Sequence, residues 1–130
     1  MRGIIAGLLS SVIVAVSALG GVTDPSPAAF DEAITRILEE FPGIQVDKSE
    51  LVDVGHFYCQ IKRQVPYNEQ YTYIGNFNEI LQRASALWSK KHAAPSSTDE
   101  YAMHDQAMGK ADRHLCPGWP GHPAPPDWSK

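Results

Sequence analysis

The sequence predicts an all-α fold, about four helices drawn into a small bundle by one disulfide. Three observations carry that expectation. Apolar residues recur every three or four positions in four separate segments. The breaks between those segments are rich in proline, glycine and serine. No run alternates apolar and polar residues for long enough to build a sheet. A chain of 130 residues leaves room for one domain at most.

The first 18 residues read as a signal peptide. Met1-Arg2 is a short positive start, Ile4 to Val16 is an apolar run, and Val16-Ser17-Ala18 offers the small residues that a signal peptidase reads. The run falls short of the about 20 apolar residues that span a bilayer comfortably. An uncleaved anchor, making the chain a membrane-attached accessory protein, is the alternative reading. Residues 19–27 hold Gly20, Gly21, Pro25 and Pro27 and read as a flexible leader.

The helical domain is placed at 28–117. Ser26 before Pro27 is a natural N-cap with proline at the first helical position. Phe30, Ile34, Ile37, Leu38 and Phe41 then follow at helical spacing, up to Pro42-Gly43. Asp47 and Glu50 resemble a capping pair for a second helix, about 49–64. Its stripe is Leu51, Val54, Tyr58, Ile61 and Val65, with Gly55 and Cys59 beside it. Gly55 costs roughly 1 kcal/mol in a helix interior, a cost that close approach of another backbone would offset.

The longest periodic segment is 67–91, with Ile74, Phe77, Leu81, Ala84 and Trp88 on one face and Gly75-Asn76 able to bend its start. Ser97 and Glu100 have capping-box spacing for the last helix. That helix carries Tyr101, His104, Met108, Ala111 and Leu115 along one side and stops at Cys116-Pro117. Residues 118–130 form a Pro-rich tail, read as extended or disordered, with Trp119 able to pack back on the helices.

Two cysteines in an exported chain have one pairing available, Cys59 with Cys116. Removing residues 1–18 takes away Arg2 alone among the charged residues. That leaves ten basic against fifteen acidic side chains, a net charge of −5. An acidic domain argues against general binding to nucleic acid or an anionic membrane, so membrane contact is expected only if the N-terminal segment is retained.

Catalytic candidates are few. His104-Asp105 on a helix of a secreted disulfide-bonded protein resembles secreted phospholipase A2, where the histidine activates water and the aspartate helps hold calcium. Tyr101 stands where that family has a cysteine. A half-buried histidine facing the core beside an exposed aspartate is the plainer reading. His56 lies three residues from Cys59, but a disulfide would consume that thiol. His56, His92, His104, His114 and His122 include no pair four apart, so neither a metal nor another cofactor is expected. The aromatic cluster holds the partner-binding candidates Tyr67, Tyr71 and Trp119, because tyrosine and tryptophan dominate interface hot spots.

Gly55-x-x-x-Cys59 in a helix, closed by Cys116-Pro117 after a helix containing Ala107 and Ala111, resembles the small exported actinobacterial proteins, mostly mycobacterial, of domain-of-unknown-function family 732. The resemblance spans about 30–117. It implies export, helices and the disulfide, and lends no catalytic residue. The function expected is that of a non-enzymatic exported or cell-envelope protein that binds another protein or an envelope component.

Overall fold

The structure is a computed structural model and describes residues 24–126 and 128. The signal peptide and most of the leader lie outside the described residues. Four helices follow in order: α1 (Pro27–Glu40), α2 (Lys48–Arg63), α3 (Tyr73–Lys91) and α4 (Thr98–His114). Among the described residues, no helix is long and apolar enough to cross a membrane.

α2 and α4 form the most extensive pairing; α1 lies chiefly on α4, and α3 on α2. Each helix contributes the face that its spacing marks. Phe30, Ile34 and Ile37 come from α1, Leu51, Val54 and Tyr58 from α2, Phe77, Ile80, Ala84 and Trp88 from α3, and Met103, Ala107, Met108 and Ala111 from α4. Ile74 and Tyr101, expected on core stripes, are about half exposed, at 54% and 47%. Both sit in the first turn of their helix, where the helix is still approaching its neighbours.

The ends are set by local hydrogen bonds. The Ser26 hydroxyl accepts from the Ala29 N–H, with Pro27 just inside the helix. The Ser97 hydroxyl accepts from the Glu100 N–H. The Glu100 carboxylate reaches back to the N–H and hydroxyl of Ser96, one residue before the cap. Asp47 occupies the N-cap of α2 but makes no side-chain capping bond; Glu50 points instead toward α4, onto His104. The 67–91 segment is helical only from Tyr73. Thr72 caps it by accepting from the Gly75 N–H, so Gly75-Asn76 lie in its first turn and 67–72 belongs to the connection.

Cys59 and Cys116 lie at bonding distance, with sulfurs 2.12 Å and Cα atoms 5.8 Å apart. Gly55 sits one turn before, where a Cβ would come within 2.4 Å of the Phe30 ring and 3.2 Å of the Ala111 Cβ. The close approach allowed by this glycine is therefore to an aromatic side chain rather than to a backbone. Seating Phe30 of α1 over α2 compensates for the weaker helix propensity.

The tail folds back on the bundle. Trp119 and Ala124 are buried. Trp119 and His122 exchange backbone hydrogen bonds, both 2.8 Å. Gly121, between them, and Gly118, just before Trp119, both have positive φ (79° and 73°). At Gly118 a Cβ would also meet the His122 carbonyl oxygen at 2.7 Å, so this glycine is required twice over. Trp128 then lies against Phe77 and Tyr73, with ring centroids 4.8 and 5.6 Å away.

Candidate functional site

Three arrangements of side chains stand out: a buried carboxylate at the end of α4, an acid–histidine group at its start, and an aromatic groove on the α2–α3 connection.

Asp112 lies one turn past Met108 on the buried face of α4 and is fully buried. Four donors converge on it. Oδ1 accepts from the Tyr58 hydroxyl at 2.6 Å and from Lys62 Nζ at 2.7 Å. Oδ2 accepts from the Tyr73 hydroxyl at 2.6 Å and from the Trp128 indole N–H at 2.7 Å. Lys62 is itself buried, donates to the Cys116 carbonyl, and lies 4.1 Å from the centre of the Trp119 ring. The Gly118 N–H donates to the Tyr73 oxygen at 3.0 Å, and Arg113 donates to the Trp128 carbonyl. A buried charge is tolerable only when paired and fully hydrogen-bonded, and this one joins α2, α3, α4 and the tail. With every donor supplied by the protein itself, the arrangement is structural.

Burial pushes the Tyr58 and Tyr73 hydroxyls well above the ordinary tyrosine range, and the negative Asp112 beside them adds to the shift. Burial pulls Lys62 down, partly offset by Asp112. The sign of the pH dependence follows. Above about pH 10 the unfolded chain releases tyrosine protons that the folded chain retains, so stability falls by about 1.4 kcal/mol per pH unit per tyrosine. Lys62 acts oppositely, since the unfolded chain holds its proton more tightly, but only up to its ordinary value of 10.5. Urea unfolding between pH 9 and 11.5 is expected to show that decline. Tyr73→Phe should flatten it by one proton's worth, whereas parallel curves for the two proteins would contradict the role given to Tyr73.

At the other end of α4, His104 is buried and its Nε2 lies 2.8 Å from Glu50 Oε2 of α2. Glu100, one turn before His104, brings a second carboxylate into the group. The ligand atoms of Glu50, Glu100 and His104 all fall within 4.8 Å of one another. Asp105, the expected partner of His104, is exposed and lines a separate groove of about 820 Å³ between α1 and α4, with Ile37, Leu81 and Trp128. The adjacent pair in sequence therefore serves two different surfaces.

The third arrangement gathers two of the three partner-binding candidates. Tyr67, Tyr71, Asn76 and Ile80 line a groove of about 620 Å³. Tyr67 is half-buried, stacked on His122 at 3.8 Å and edge-on to Trp119 at 5.3 Å. Tyr71 is 50% exposed; Ile74, in the first turn of α3, is exposed as well. Trp119 is buried beneath them between Tyr67 and Tyr73, so it supports the surface rather than forming it.

No protein-family model, curated protein or solved structure matches the chain.

Of the remaining histidines, His56 is exposed with its ring edge-on to Phe30, His92 stacks on Trp88, and Nε2 of His122 lies 2.8 Å from Glu69. The Asp112–Lys62 pair was not foreseen from sequence. A signal existed: Asp112 continues the Met108 stripe and Lys62 the Tyr58 stripe, each at i+4. Spacings between histidines do not reveal the group around His104, because one carboxylate precedes it by a turn and the other comes from α2.

Proposed function

We propose that this chain is an exported, non-enzymatic helical protein that works by binding another protein or an envelope component, and that the partner seats on the α2–α3 connection. The observation that carries the reading is the exposure of Tyr71, which lines a groove together with Tyr67, and of Ile74 in the adjoining first turn of α3. Exposed aromatic and aliphatic side chains on a rigid support are the usual anchors of an interface. The support is firm here, since Tyr67 is held by His122 and Trp119. Export rests on the residues at 1–18 and agrees with a disulfide-distance pair in so short a chain. The same pair joins the Gly-x-x-x-Cys helix to the Cys-Pro end, in keeping with a place in family 732. His104, with its Nε2 on Glu50 and Asp105 on another surface, lends no support to the phospholipase reading.

The test is capture from envelope extract by the oxidised domain, compared with a Tyr71→Ser/Ile74→Ser variant. A species retained by the first and lost by the second, with circular dichroism unchanged, is the expected result. Equal capture by both would remove the binding surface from this place. Calcium-dependent lipid hydrolysis abolished by His104→Ala would overturn the non-enzymatic reading altogether.

A further inference from the structure

We infer that Glu50, Glu100 and His104 form a binding site for one divalent first-row transition ion, Zn²⁺ being the natural occupant. Their ligand atoms lie within 4.8 Å of one another, and His104 Nε2 and Glu50 Oε2 are 2.8 Å apart. Ligands in a tetrahedral zinc site stand about 2.0–2.2 Å from the ion and hence roughly 3.4 Å from each other. Small rotations of two glutamate side chains bring this group to that spacing.

The buried histidine separates the group from an ordinary patch of surface acids. His104 is only 4% exposed. Its ring stands edge-on to Trp88, with centroids 6.1 Å apart and planes at 87°, and its Nε2 is directed at the carboxylate. The imidazole is thus held in place before any ion arrives. Glu50 comes from the first turn of α2, while Glu100 and His104 are successive turns of α4. These two helices share the most extensive packing in the fold, so the frame is firm. Ser96 bonds to Glu100 through its N–H and hydroxyl, orienting the second carboxylate as an outer-shell partner does.

The donor set selects the ion. One imidazole nitrogen with two carboxylates suits zinc and its first-row neighbours, whereas calcium and magnesium take oxygen ligands and copper(I) favours sulfur. Glu50 is 40% exposed, leaving water able to complete the coordination. An ion would replace the Nε2–Glu50 hydrogen bond, which requires the proton to sit on Nδ1 or leave.

The test is calorimetric titration of Zn²⁺ into the oxidised full chain at pH 7.5, with Glu50→Gln and Glu100→Gln beside it. Both substitutions fall on partly exposed carboxylates and are checked for folding by circular dichroism. One ion per chain is expected, with affinity reduced at least tenfold in each variant, following the usual cost of disturbing a metal site. Co²⁺ should give visible absorption that is lost in His104→Gln. Absence of saturable binding would overturn the inference, and so would affinity unchanged in both variants, which would place the ion on other histidines.

Discussion

Asp112→Asn is expected to destabilise the protein by about 3–5 kcal/mol, the usual result of removing one partner of a buried ion pair. The cost arises less from losing attraction than from what remains behind. Lys62, 4% exposed, would be left buried with no counter-charge beside it. Tyr58, Tyr73 and Trp128 would compete for fewer acceptor positions. The mechanism predicts a specific rescue. Lys62→Met in the Asp112→Asn background should recover part of the loss, because it deletes the stranded charge and leaves an apolar stem of similar length. Chemical unfolding of the four proteins of this cycle measures the coupling directly. A double variant no more stable than Asp112→Asn alone would show that the charge was not the source of the cost.

Replacing both cysteines by serine, or reducing the disulfide, is expected to cost about 4 kcal/mol. The bonded residues are 57 apart in sequence, and closing a loop of that length removes roughly this much from the entropy of the unfolded chain. A domain of about 100 residues has about 5–15 kcal/mol in hand at typical stabilities of roughly 0.05–0.15 kcal/mol per residue, so this loss is a large share of it. Urea unfolding with and without reductant checks the figure. Coincident midpoints would mean that the cross-link adds nothing to a fold already held by its core.

The helices were legible because each is amphipathic and sharply bounded. Phe30, Ile34 and Ile37, or Leu51, Val54 and Tyr58, announce a buried face by spacing alone, and the structure buries all six. The cysteine pairing was legible because no other was possible. The connection at 67–72 was not: its tyrosines continue a helical rhythm, and only the Thr72 hydroxyl, bonding to the Gly75 N–H, shows where the helix begins. The polar centre was hidden for a different reason. A charged side chain on an apolar stripe is ordinarily turned toward water with its stem along the surface, and nothing local says that Lys62 will instead meet Asp112, fifty residues away. Trp119 was open to two readings, packed back on the helices or offered as a partner anchor, and the turn at Gly118 and Gly121 carries it into the core.

The end of α4 has one more consequence. The covalent ring closed by Cys59 and Cys116 contains the end of α2 and all of α3 and α4. α1 and the tail hang outside it as two free arms. Both arms are fastened at the same place: the Ser26 N–H, at the start of α1, bonds the His114 carbonyl at 2.6 Å, and the tail is gripped by Asp112 and Arg113. The last turn of α4 is therefore a shared latch. In amide hydrogen exchange the two arms should open as one cooperative unit, at a lower free energy than the ring, although they belong to opposite ends of the described chain.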